Sequence, residues 1–179
     1  MIPFGSFRLL EAGEVDIIMA PEQDVPGGFY KQKGLDVFQV CIVRQGHPEV
    51  GKRLTIKEFL SIPHVMVNIP GTDVSGIDQA LAAKGLSRRI AVRVPSFLAV
   101  PWIIAKSDLI AVLPDMLVDQ VGPLLPVDAH PMPLPAPQLA VFMYWHERTN
   151  NSPAHQWMRS QISELAAEME HSLTFRKAG

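Results

Sequence analysis

Between Ser87 and Asp115 the chain reads SRRIAVRVPSFLAVPWIIAKSDLIAVLPD, two β-branched runs enclosing a bulky apolar stretch. The runs 90–94 and 109–113 stop at Pro95 and Pro114, and the stretch between them is long enough for a helix. Short continuous apolar strands are buried on both faces, which predicts parallel strands beneath crossover helices in an open α/β sheet. The alternation extends both ways along the chain. A helix tail is predicted over 9–14, and strands over 15–20, 35–44, 64–68, 124–127 and 139–145. Helices are predicted over 73–84, 98–106 and from Pro114 to about Val121, with right-handed crossovers throughout.

Punctuation residues sharpen several of these elements. Thr55 and Glu58 have capping-box spacing, Leu54 and Phe59 can staple the same helix start, and Pro63 stops it. Gly85 is predicted as the left-handed residue after helix 73–84, which carries Val74, Ile77 and Leu81 inward. Pro101 makes helix 98–106 start late or kink. Prolines 131, 133, 135 and 137 predict an extended strap over 128–137. Ser152 and Pro153 open the last helix, 154–170, whose Trp157, Met158, Ile162, Leu165 and Met169 fall on one apolar face. Trp145, Phe142 and Trp157 are predicted core.

Composition narrows the class. The chain has 179 residues, 47% hydrophobic and 19% charged, with a net charge of −2. That is a globular composition with room for one core or two small lobes, and with no bulk attraction to nucleic acid. Arg88-Arg89, the densest basic spot, reads as a solvated turn. No segment has the ~20 apolar residues of a membrane span, and the start lacks a signal-peptide pattern, so no membrane partner and a cytoplasmic setting are expected. Cys41 is the single cysteine and reads as a buried structural thiol. The six histidines lack metal-ligand spacing, and nucleophile-elbow, phosphate-loop and dinucleotide-binding motifs are absent, so no enzyme, cofactor or metal is expected.

The 87–115 run, PMPLP at 131–135 and WHERTNNSPAHQW at 145–157 together resemble the co-inducer-binding half of LysR-type transcriptional regulators. Within that family the wording is similar to the branch of aromatic-compound sensors and nodulation regulators. The resemblance implies a two-lobed, type II periplasmic-binding-protein-like α/β fold. It places residues 1–63 and 129–179 in a first, incomplete lobe and 64–128 in a second, with hinge crossings near 62–64 and 128–137. It also implies a small aromatic or carboxylate effector between the lobes, and a homodimer or tetramer. DNA would be reached only through a winged-helix domain not found in this chain, which reads as an N-terminally shortened form. A solute-binding protein of the same architecture, an enzyme on a similar two-lobed scaffold, or a short product acting only through oligomerisation, are the alternatives.

Ligands of open α/β sheets sit beyond the carboxyl ends of strands, where helix amino termini present free N–H groups. The loop 69–75 opens such a helix, so Gly71, Thr72 and Ser75 are candidate ligand contacts suited to a carboxylate. Thr72 or Asp73 capping the helix is the plain alternative, and both can hold together. Ser96 and Phe97 follow strand 90–94 and offer a hydroxyl and an aromatic wall, or simply an N-cap and a core ring. His64 stands at the first hinge, as a cleft residue or as a structural one. Glu22 ends strand 15–20 and would repel an anion, which argues for a loop role.

Overall fold

Strict two-residue alternation of buried side chains explains the larger half of the molecule. In strand β3 (Gln39–Arg44), Val40 and Ile42 pack into one apolar cluster while Cys41 and Val43 pack into another. Strand β6 (Ile110–Pro114) divides the same way, with Ile110 and Val112 on one side and Ala111 and Leu113 on the other. A sheet so divided needs cover on both faces. Helices α2 (Ile56–Ser61) and α3 (Gly76–Ala82) supply Phe59, Ile77 and Leu81 to the first cluster. Helices α4 (Val100–Ile104) and α5 (Asp115–Val121) supply Val100, Ile104 and Val118 to the second. The computed structural model describes residues 6–68, 76–135 and 138–172.

With β4 (His64–Val67), β5 (Ile90–Val94) and β7 (Val127–Pro131), the sheet order is β5-β4-β6-β3-β7. β4 runs parallel to β5 and β6, as the sequence predicts, but β3 is antiparallel to β6 and to β7. The strap expected over 128–137 therefore begins as a ladder strand, with His130 opposite Cys41. Proline spacing hid this, because Pro131 sits at the strand's last position, where a missing N–H costs little.

The smaller unit holds helix α1 (Ser6–Ala12) and an antiparallel sheet in the order β1-β8-β2. Its strands are β1 (Ile18–Pro21), β2 (Phe29–Val37) and β8 (Leu139–His146). Tyr144, fully buried, donates its hydroxyl to the Pro21 carbonyl at 3.0 Å and accepts the Gln23 N–H at 2.9 Å. Helix α6 (Pro153–Ser172) packs on β2, where Gln32 donates to Ser163 Oγ at 3.0 Å and the Asp36 N–H donates to the Glu170 carboxylate at 2.7 Å. The apolar face expected to bury is only partly covered: Trp157 is 64% exposed and Met158 and Leu165 are also exposed, while Ile162 and Met169 are half-buried. Trp145, by contrast, is buried.

The two compact units part at Val37/Phe38 and at Gln138/Leu139, not at the expected 63/64 and 128/129. Hydrogen bonding is the reason, since β3 and β7 are rungs of the five-stranded sheet. The single strand expected over 35–44 is likewise two strands in two sheets, broken at Phe38.

Local punctuation follows the sequence. Thr55 Oγ1 accepts the Glu58 N–H at 3.3 Å and the Glu58 carboxylate accepts the Thr55 N–H at 2.7 Å, a complete capping box. Those bonds hold the Glu58 carboxyl below its usual pKa. Gly85 has φ +67°, with Leu86 N–H bonded to Leu81 O and Gly85 N–H to Ala82 O, the Schellman pattern. Pro101 sits in the first turn of α4, where proline breaks no bond, so no kink arises.

Candidate functional site

Three parallel strands deliver their carboxyl ends to one end of the five-stranded sheet. Val67 of β4 pairs with Val94 of β5, and the Asn68 N–H extends that register to Val94 O at 2.8 Å. The chain thus leaves two adjacent strands side by side, towards 69–75 in one case and Pro95-Ser96 in the other. Gly71, Thr72 and Ser75 themselves lie outside the described residues.

Ser96 and Phe97 lie at this end. Ser96 is exposed, and its Oγ accepts the Leu98 N–H at 3.3 Å, capping the short 3-10 turn at Phe97–Ala99. The cap leaves the hydroxyl proton free to donate elsewhere. Phe97 is exposed and stands outside both core clusters of its unit. The aromatic-wall reading therefore keeps an accessible ring, and the core reading does not describe it.

Asp115, which the sequence reading did not single out, belongs to the same end because it follows β6. It is buried; its Oδ1 accepts the Phe38 N–H at 3.2 Å and the Met116 N–H at 2.9 Å, and its own N–H donates to Phe38 O at 2.9 Å. Asp115 thereby fixes the backbone beside the point where the chain passes from one unit to the other. The only signal for it in the sequence is an acid directly after Pro114.

His64 has a different place. It opens β4, at the amino end of the strand, roughly 10 Å of extended chain before Val67. It is 0% exposed, its Nε2 lies 2.7 Å from Phe59 O and its Nδ1 lies 3.3 Å from Nη1 of Arg88. A carbonyl partner requires the proton on Nε2, so Nδ1 accepts from the guanidinium. Both ring nitrogens are used within the protein, and the Phe59 ring packs edge-on at 4.6 Å. Burial, aided by the Arg88 cation and opposed by the Phe59 carbonyl, pushes the imidazole down to about 4. This geometry describes the structural histidine of the two readings.

Arg88 overturns its own expectation. Its side chain is 3% exposed, not solvated, and it forms a fork to Asp78 at 2.7 and 3.2 Å. Asp78–Arg88–His64–Phe59 ties α3, the entry to β5, β4 and α2 together. Cys41 is fully buried with its sulfur 3.2 Å from that of Met132, and burial raises its thiol pKa far out of the reactive range.

A family model described as the LysR substrate binding domain matches residues 3–167. The chain belongs to the LysR substrate-binding family. Among curated LysR-type relatives, the transcriptional activator NahR of Pseudomonas putida is 31% identical over 158 residues, covering 88% of this chain and 53% of NahR. The regulator SyrM of Rhizobium meliloti (strain 1021) is 28% identical, covering 91% of this chain and 50% of SyrM. Nodulation protein D of Rhizobium leguminosarum bv. trifolii is 29% identical, covering 91% and 52%. The chain thus spans about half the length of the curated relatives it matches. The regulatory domain of MexT, a transcriptional activator in Pseudomonas aeruginosa, superposes with a TM-score of 0.76 at 24% identity over 88% of this chain and 76% of that one. The α/β fold is the type II periplasmic-binding-protein-like fold of LysR regulatory domains. No helix among the described residues is long and apolar enough to cross a membrane.

Proposed function

We propose that this LysR domain is an effector sensor that binds a small aromatic or carboxylate compound in the cleft the family places between its lobes. The loops after β4 and β5 supply the polar contacts. The observation that carries this reading is the side-by-side exit of those two strands, with an exposed, donor-competent Ser96 just past the end of β5, while Thr72 and Ser75 follow β4 in the sequence. Ser96 and Thr72 hydroxyls donate to the effector carboxylate, Phe97 faces its ring, and Gly71 lets the backbone approach. His64 acts at one remove, holding β4 in place.

A regulatory domain of this fold, that of CcmR from Synechocystis PCC6803, has been solved in complex with 2-PG, at a TM-score of 0.71 and 17% identity over 90% of this chain and 78% of that one. Effector binding biases the arrangement of the lobes only by its differential affinity for the alternatives. In the cytoplasm, a homodimer or tetramer passes that bias to winged-helix segments that contact DNA. A thermal-shift screen of aromatic and aliphatic carboxylates tests the sensor reading. A compound that raises the melting temperature and is recovered chemically unchanged is expected; turnover of every stabilising compound would contradict it.

A further inference from the structure

The smaller unit carries a groove of about 400 Å³ between α6 and the edge strand β2. Arg159 lines it and is 8% exposed. Its guanidinium lies over the Trp145 ring at 4.5 Å and donates to Asn150 O at 2.8 Å and to Thr149 O at 3.4 Å. Among the described residues no carboxylate forms an ion pair with it. Loss of hydration lowers its pKa and no neighbouring acid raises it. A buried cation without a counter-ion is uncommon. Of five guanidinium hydrogens two are donated to those carbonyls, which leaves three.

The surrounding lining sets the ligand's charge. Gln32 donates one amide hydrogen to Ser163 Oγ at 3.0 Å and Gln156 donates one to Asn150 O at 3.3 Å, so each retains a second donor. Glu164, at the same groove, is hydrogen-bonded by Gln161 and opposes a second negative charge. We propose that this groove is a binding site for a small organic monocarboxylate, with Arg159 as its counter-charge and the Gln32 and Gln156 amides as neutral donors. A dianion such as phosphate is disfavoured by Glu164. The site lies wholly in the smaller unit, apart from the Ser96 loop, and stands whether or not the effector reading does.

The test is a titration of the isotopically labelled full chain with sodium benzoate, sodium acetate and inorganic phosphate, followed by NMR. Saturable shifts of the Trp145 indole N–H and the Gln32 and Gln156 side-chain amides are expected with the two carboxylates. Arg159→Gln should weaken binding about tenfold or more. Glu164→Gln should tighten it roughly threefold by removing like charge. Because Arg159→Gln also breaks the carbonyl clamp, Ser160→Glu serves as the second variant, leaving the clamp intact and placing an acid in the groove; it should abolish saturation. The proposal is overturned if the groove signals move only linearly and without saturation, if both variants bind as the unmodified chain does, or if phosphate binds as tightly as benzoate. Shifts confined to Ser96, Phe97 and Thr72 would likewise overturn it while supporting the effector site.

Discussion

Replacing His64 with glutamine should flatten the acid sensitivity of this domain. The imidazole is fully buried, donates to Phe59 O and is held down to about 4 against an ordinary value of 6.5. As pH falls through 6.5, the unfolded chain takes up the proton first and the folded chain does not, so stability is lost on acidification. The loss is complete below the folded value and amounts to about 3 kcal/mol, the depression taken at about 1.4 kcal/mol per pH unit. Between about pH 7.5 and about pH 5 the expected share is about 2 kcal/mol, before most carboxylates titrate. Burial of His130 acts in the same direction, so the comparison is between the two proteins rather than with a flat line. Urea unfolding followed by circular dichroism at both pH values supplies the numbers. Glutamine keeps an N–H donor for Phe59 O without a titrating ring. Equal pH dependence in His64→Gln and the unmodified chain would refute the reasoning, and would mean that His64 takes up its proton as readily in the folded chain as in the unfolded one.

Other substitutions read single features. Thr55→Ala removes the capping box and should cost about 1 kcal/mol in the same unfolding assay. Gly85→Ala meets no atom within 4 Å but forces a Cβ into a left-handed backbone, so a loss of about 1 kcal/mol with unchanged secondary structure is expected. Asp78→Asn strips the carboxylate from a buried Arg88 and should cost more than either, about 3 kcal/mol. Cys41 should resist a thiol reagent at mildly alkaline pH in the folded chain and react fully in denaturant.

Where a pattern is local, it is legible. The capping box, the Gly85 cap, β5 and the bounds of α5 follow from neighbours a few residues apart. What misleads is information held by distant chain. The alternation over 35–44 is real on both sides of Phe38, but only pairing with Val141, Ala140 and Leu139 on one side and with β6 and β7 on the other shows two strands. Arg88 reads as solvated beside Arg89 because its partner Asp78 is ten residues away. In α6 the apolar stripe and the buried stripe differ, since Arg159 buries its stem and charge against Trp145 while Trp157 stays outside. The strand-end region is half legible: the end of β5 locates Ser96 and Phe97 as candidates, whereas Asp115 acquires meaning only through its bonds to Phe38.

Calorimetric titration of a stabilising carboxylate into the unmodified chain and into a Thr72→Ala, Ser96→Ala double variant tests the effector site most directly. Saturable binding is expected in the first, and binding at least about tenfold weaker in the second, as the loss of two hydrogen bonds to a charged group implies. The melting temperature of the ligand-free double variant should be close to that of the unmodified chain. Unchanged affinity in the double variant would remove these loops from the effector site.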